Sequence, residues 1–175
     1  MRRVNVKGTS GSGKTTFGEE LARRLEVPFV ELDALHHIGP NWTEATAEEL
    51  TARVREAIDA APDGWVIDGN YESKLGETVI AAADTIVWLD LPLGVKLRRL
   101  WLRTSHRIRH EVELWNSGNK EQWRTALWGW ESLFMWMVRG HFRHRREWPA
   151  RYGDDPRFVR LRSVKEARRW LDSTS

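Results

Sequence analysis

The sequence predicts an α/β domain in which helices cover both faces of a five-stranded parallel sheet, and three observations lead to that expectation. Five short apolar runs alternate with segments of helical period, the pattern of strands joined by crossover helices. The first run passes into a glycine-rich loop and then directly into a helix. The length of 175 residues, with 41% apolar and 30% charged side chains, fits one domain with a full core.

Val4 and Val6 mark the first strand, which ends at Gly8, and Phe17, Leu21, Ala22 and Leu25 recur at helical spacing after it. Phe29 to Leu32 forms the second strand. Thr46, with Glu49 three residues on, makes a capping box and starts a helix expected to reach about Ala61. Pro62, Asp63 and Gly64 break that helix, and Trp65, Val66 and Ile67 form a third strand ending at Asp68. Thr85 to Leu89 is the fourth strand, followed by a basic helix from about Leu93 to Thr104. Phe158 to Leu161 is the fifth, and Ser163 with Glu166 forms a second capping box before a last helix. No repeat or linker-like stretch divides the chain, so residues 1–175 are expected to form one domain. An acceptor-side segment lies at about 33–61 and a basic, tryptophan-rich lid at about 104–148.

The net charge of +3 conceals an uneven distribution. Residues 1–95 carry 9 basic and 16 acidic side chains, residues 96–146 carry 12 and 4, and residues 147–175 carry 7 and 5. The middle segment is therefore expected to attract an anion. The absence of cysteine excludes disulfides, thiolate metal sites and a cysteine nucleophile. The most apolar region, Ala126 to Val138, is interrupted by Glu131 and Ser132, so no membrane span is expected. The amino terminus enters the glycine loop without a secretory signal, which makes a mature start near Met1 and a cytoplasmic location the default expectation.

Residues 8–15 read GTSGSGKT, matching G-x-x-x-x-G-K-[ST] between a strand and a helix. Gly8, Gly11 and Gly13 let the backbone turn inward. The amides from Gly8 through Thr9, Ser10, Gly11, Ser12 and Gly13 to Thr16 can then surround phosphate oxygens at the helix start. Lys14 supplies a positive charge, and Thr15 places a hydroxyl where Mg²⁺ bridging the terminal phosphates can take it. Asp68, at the carboxyl end of the third strand, suits the same ion; capping of the turn at Gly69 is its plainer role. Asp33 is placed at the end of the second strand, where it can orient an acceptor hydroxyl and take its proton, or simply cap a turn. His36 and His37 follow on a loop and point apart, so they are not expected to share a metal. Arg99 and Arg103 share a helix face, with Arg107 and Arg109 continuing into the next loop, and such a cluster can neutralise transferring phosphate oxygens. Leu127, Trp130, Phe134 and Met137 predict one amphipathic lid helix. Its end carries Arg139, Arg143, Arg145 and Arg146, and interleaved rings and arginines are the pattern of a nucleic-acid surface only if the rings are exposed.

Taken together, GTSGSGKTT, LDALHH with PNW, WVIDGNY, ADTIVWLDLP, the Arg99 and Arg103 pair and LRSVKEARRWL resemble the adenylate-kinase-like group of P-loop kinases. Within that group the resemblance is nearest to bacterial proteins labelled DNA topology modulation protein. It covers nearly the whole chain and implies a three-layer P-loop NTPase fold with strand order 2-3-1-4-5, a helical lid insertion, and ATP with Mg²⁺ as cofactors. It also places Arg99 and Arg103 at the base of the lid, and Ser163 and Val164 near the adenine. The sequence departs from adenylate kinases at the acceptor. Residues 26–52 contain no lysine or arginine, and the arginine of DGFPR is missing from Asp68-Gly69-Asn70-Tyr71-Glu72. A phosphorylated acceptor would meet Glu31, Asp33 and Glu72 with Lys74 nearby, an arrangement of like charges. The Glu-x-Asp spacing of Glu31 and Asp33 resembles the acidic pair of shikimate and gluconate kinases, which phosphorylate hydroxyl groups.

The expected function is therefore transfer of the γ-phosphate of Mg-ATP to a small-molecule acceptor through a hydroxyl, with Lys14, Asp33, Arg99 and Arg103 as catalytic residues. A nucleoside monophosphate kinase is one alternative. A nucleic-acid-binding or regulatory ATPase is another, with nucleic acid the less favoured partner. The chain is expected to act as a monomer or homodimer.

Overall fold

A computed structural model describes residues 1–115, 117–129 and 132–174. Strand β1 (Arg3–Lys7) leads through the glycine loop into α1 (Lys14–Leu25) and then β2 (Phe29–Glu31). A short helix α2 (Leu32–His36), a hairpin of β3 (His37–Gly39) and β4 (Thr43–Glu44), and α3 (Ala47–Asp59) follow. Next come β5 (Trp65–Asp68), the short helices α4 (Glu72–Leu75) and α5 (Thr78–Ala82), β6 (Thr85–Leu89) and the long α6 (Leu93–Arg109). A second hairpin, β7 (Glu113–Leu114) with β8 (Asn119–Lys120), precedes α7 (Trp123–Leu127) and α8 (Leu133–Tyr152). Strand β9 (Phe158–Leu161) and α9 (Val164–Asp172) end the described chain.

The main sheet runs β2-β5-β1-β6-β9 and every pairing in it is parallel. Counted over these five strands alone, the order is 2-3-1-4-5. The two antiparallel hairpins are additions that the sequence pattern did not announce, each strand being only two or three residues long.

Alternation along the strands sorts the core into two faces. Trp65, Ile67, Ile86 and Trp88 point to one face, where α3, α4, α5 and the end of α8 contribute Leu50, Val54, Leu75, Val79, Trp148 and Tyr152. Val4, Val6, Val66, Val87 and Leu89 point to the other, covered by Phe17, Leu21 and Ala22 of α1 and Leu171 of α9. At α3 the capping box forms as expected, with Glu49 N–H donating to Thr46 Oγ1 at 3.1 Å and Thr46 N–H to Glu49 Oε2 at 2.9 Å. At α9 only half of it forms. Ser163 Oγ accepts from Glu166 N–H at 3.1 Å, but the Glu166 carboxylate takes the N–H of Arg162 instead.

Three local expectations need correction. Strand β2 stops at Glu31 because its partner β5 ends opposite it at Asp68, and Leu32 then turns into the core. Asp33 and His36 consequently lie on helix α2, and His37 begins β3. Helix α6 continues past Thr104 to Arg109, with Thr104 and Ser105 buried inside it, so Arg107 and Arg109 are helical. The proposed stripe from Leu127 to Met137 is not one helix: Gly129 has φ +96° in the left-handed region, and Ser132 caps a new helix. Trp130 of that stripe lies outside the described residues. Among the other tryptophans of the segment, Trp148 is buried in the core while Trp128 and Trp136 are exposed.

Asp90 fixes α8 to the sheet. Its carboxylate, 1% exposed, accepts from Arg145 Nε at 2.7 Å and from Arg160 Nη2 at 2.6 Å, joining the end of β6 to α8 and β9. Replacing it with alanine strands two guanidinium groups that water reaches in part, so Asp90→Ala is expected to cost about 2–3 kcal/mol. A thermal melt checks this, the expected fall being roughly 4–12 °C for a chain of this size.

Candidate active site

The parallel register delivers the site. Val6 pairs with Asp68 and Glu31 pairs with Asp68, so the carboxyl ends of β1, β2 and β5 open on one edge, beside the loop of residues 8–13. Gly11 and Gly13 have φ +77° and +88°, a conformation that glycine adopts freely. Close packing also demands the absence of a side chain at Gly11, since a Cβ there would lie 2.4 Å from the carbonyl oxygen of Lys96 on α6. Gly13 occupies the N-cap of α1 without a side-chain partner, so the first amides of that helix point outward as an anion-binding terminus.

Lys14 Nζ lies 3.5 Å from Asp68 Oδ1, and Thr15 donates its hydroxyl to Asp68 Oδ2 at 2.9 Å. Burial pushes the Asp68 carboxyl pKa upward, opposed by Lys14 and the Thr15 hydroxyl. Oδ1 of Asp68 is buried without a hydrogen bond, as are the hydroxyls of Thr9 and Ser12 within the loop. A hydroxyl and a carboxylate in contact, with the second carboxylate oxygen held only by the Lys14 ammonium at 3.5 Å, are hard oxygen donors suited to Mg²⁺. Ser10 is half-buried and Thr16 exposed on α1. Among the described residues no group of three His, Asp or Glu side chains is placed to hold a metal.

Arg99 donates to the Ser12 carbonyl at 3.1 Å and so lies over the loop, as its position on α6 implies. Arg103, one turn on, is 3.9 Å from Glu121 and close enough to Asp33 and Glu31 for their charges to act on it. Burial and the neighbouring Arg107 lower its pKa. Arg107 is engaged by Glu121 at 2.8 Å, and Arg109 is exposed. Ser163 is exposed and occupied as the cap of α9, and Val164 is half-buried at that helix's start. The Arg162–Ser163 turn leaves the sheet at the same edge as the loop, because Leu161 pairs in parallel with Leu89.

Beyond β2, Asp33 accepts from the hydroxyl of Tyr71 at 2.6 Å. Burial raises the pKa of Glu31, and Asp33 and Asp68 raise it further. Lys74 is committed to Glu44 and His36, both at 2.9 Å. His36 is buried and its ring meets the Tyr71 ring edge-on, whereas His37 stacks on Trp115 at 4.8 Å. The two imidazoles do not point apart as expected: their ring centroids lie 5.0 Å from each other, although each also has a neighbour of its own.

Four further residues, Asn70, Lys7, Tyr71 and Asn119, support these groups. The Asn70 amide imitates a strand, donating to Gly8 O at 2.7 Å and accepting from Gly8 N–H at 3.2 Å. Lys7 is buried before the loop, ion-paired with Glu72, its ammonium 4.7 Å from the Trp148 ring. Tyr71 holds Asp33. Asn119, 2% exposed on β8, accepts from Trp42 N–H at 2.7 Å and donates to Gly39 O at 3.0 Å, tying the second hairpin to the first. A polar signal existed for Asn70 and Tyr71 in the run DGNYE, but no local spacing rule points to Lys7 or Asn119.

The fold and this loop define the class: a P-loop nucleotide-binding protein. The family described as AAA domain matches residues 4–124, well over half of the sequence, and the chain belongs to it. Among characterised proteins the chain is similar to a shikimate kinase from Microcystis aeruginosa, with 30% identity over 63% of this chain and 64% of that protein. A shikimate kinase from Sulfurihydrogenibium sp. is also 30% identical, over 57% of this chain and 67% of that protein. The match thus spans less than two thirds of the first relative. In fold, the chain is similar to the structure of a shikimate kinase from Acinetobacter baumannii in complex with shikimate. The TM-score is 0.60 and the identity 15%, over 99% of this chain and 90% of that one. A gluconokinase from Sinorhizobium meliloti gives a TM-score of 0.54 with 21% identity, over 98% and 92% of the two chains.

Asn119→Ala removes the amide that joins the two hairpins and leaves the Trp42 N–H without that acceptor. Its amide exchange rate, read by NMR or mass spectrometry, is expected to rise at least tenfold over wild type, while amides in β1 and β6 keep theirs.

Proposed function

We propose that the protein is an ATP-dependent phosphotransferase that moves the γ-phosphate of Mg-ATP to a hydroxyl group of a small molecule. One observation carries the reading: Lys14, Thr15 and Asp68 meet at the start of α1, while Asp33 stands on α2, two residues beyond the neighbouring strand β2, with its own hydrogen-bond support. Donor and acceptor groups thus open on one edge, as in-line transfer requires. The similarity to shikimate kinases supports the same chemistry.

In this reading the amides of residues 8–16 and Lys14 bind the phosphate tail, and Arg99 and Arg103 stabilise charge on the transferring group. Thr15 and Asp68 hold Mg²⁺, which when bound neutralises phosphate charge. Asp33 orients the acceptor and receives its proton. Residues 104–148 act as a lid, closing with 33–61 to exclude water within a single domain spanning 1–175. Ser163 and Val164 lie toward the base. The finer likeness to DNA topology modulation proteins rests on the motifs IDGNY and ADTIVWLDLP. No described helix is long and apolar enough to cross a membrane.

Titration calorimetry with Mg-ATP is expected to give saturable heat for the wild type, and Lys14→Ala is expected to weaken binding by more than tenfold with little change in melting temperature. A coupled assay of ADP release over a panel of alcohols and nucleoside monophosphates then reads the acceptor. Asp33→Asn is expected to lower kcat by about 100-fold while leaving KM for ATP within twofold. Robust turnover with a monophosphate as phosphate acceptor overturns the hydroxyl reading.

A further inference from the structure

Tyr71 is held on every side before it reaches Asp33. Asn70 clamps the preceding residue to Gly8, and the Tyr71 carbonyl accepts from the amides of Lys74 and Leu75 at 2.9 and 2.8 Å, opening α4. Its ring packs on the core cluster that contains Leu32 and Leu75, and lies 5.0 Å edge-on from the His36 ring. His36 is in turn fixed by Lys74 at 2.9 Å. A phenol so constrained has one direction in which to donate, and it donates to Oδ1 of Asp33.

We propose that Tyr71 is a positioning residue for phosphoryl transfer, its phenol occupying one oxygen of Asp33 and turning the other toward the acceptor hydroxyl. The proposal rests on the phosphotransferase reading, which gives Asp33 its task. In the step, the acceptor O–H bond breaks and its proton passes to Oδ2 of Asp33. The acceptor oxygen bonds to the γ-phosphorus as the bond from that phosphorus to the β–γ bridging oxygen breaks, and ADP leaves with the electron pair. Tyr71 keeps its proton throughout. Burial and the Asp33 carboxylate push the ionisation of Tyr71 well above the ordinary phenol range, which suits a permanent donor. Packing alone needs a ring at this position, and phenylalanine supplies one; the hydroxyl is what serves Asp33.

The chain contains two tyrosines, Tyr71 and Tyr152, so in Tyr152→Phe the tyrosinate absorbance reports Tyr71 alone. Glu31, Glu44 and His36 also surround this phenol, and they are unchanged in the comparison. In alkaline titration, Asp33→Asn added to Tyr152→Phe is expected to bring tyrosinate formation to lower pH. Coincident curves overturn the pairing, and wild type against Asp33→Asn gives the same comparison if Tyr152→Phe does not fold. With an alcohol that supports turnover, Tyr71→Phe is expected to lower kcat about tenfold and leave KM for ATP unchanged, as loss of orientation at the acceptor requires. An unchanged kcat overturns the positioning role. Failure to bind Mg-ATP or to phosphorylate any alcohol overturns the phosphotransferase reading and with it Asp33's task, whereas the absorbance curves decide the pairing separately.

Discussion

The parallel register of three strands is the constraint on which the site depends. Asp68 is paired with Val6 on one side and with Glu31 on the other, so one carboxylate sits between the start of the glycine loop and the end of β2. A shift of one residue would turn Asp68 to the opposite face of the sheet and remove it from Lys14 and Thr15. Register is strongly determined here because the strands are buried on both faces, with Trp65 and Ile67 filling one core and Val66 the other. Core packing and site geometry are therefore set by the same pairing.

From Asp68 onward the chain distributes its side chains among separate bodies. Asp68 reaches Thr15, Asn70 reaches Gly8, Tyr71 reaches Asp33 and Glu72 reaches Lys7. The backbone turn that permits this depends on Gly69, with φ +148° and its Cα so near Leu32 that a Cβ would fall 2.8 Å from the leucine side chain. Through Lys7 the segment also touches α8, whose Trp148 ring lies against the ammonium and whose Arg145 is pinned by Asp90. The glycine loop, Asp33 and α8 are thus joined through five consecutive residues.

Much of this was legible in the sequence because it is local. Strand, glycine loop and helix are contiguous, Thr46 with Glu49 three residues on marks the start of α3, and Asp68 closes an apolar run. The sequence marks Asp33 but puts it on the strand, since nothing local reveals that β2 loses its partner after Glu31. The break at Gly129 was hidden by apolar residues at helical spacing on both sides of it, and the left-handed φ of a glycine outweighs such a pattern. Lys7, Asn119 and the function of Tyr71 depend on partners 65, 77 and 38 residues away, which no spacing rule reaches.

Around Asp33, the proposed choice of a hydroxyl acceptor follows from how the cations are used. Lys74 is bound to Glu44 and His36, Arg107 to Glu121, and the exposed Arg53 donates to the Leu35 carbonyl at 3.4 Å. Arg103 lies among Glu121, Glu31 and Asp33, so its charge is shared. A second phosphate brought to Glu31 and Asp33 would face like charge, worth about 1–4 kcal/mol per pair at contact in a partly solvated cleft. A hydroxyl meets no such barrier, because it donates to a carboxylate. The identity of the group that holds Asp33 then matters. An arginine in place of Tyr71 would orient the carboxylate equally well but neutralise it, whereas a phenol orients it and leaves its negative charge available, as the proposed proton transfer to Asp33 requires.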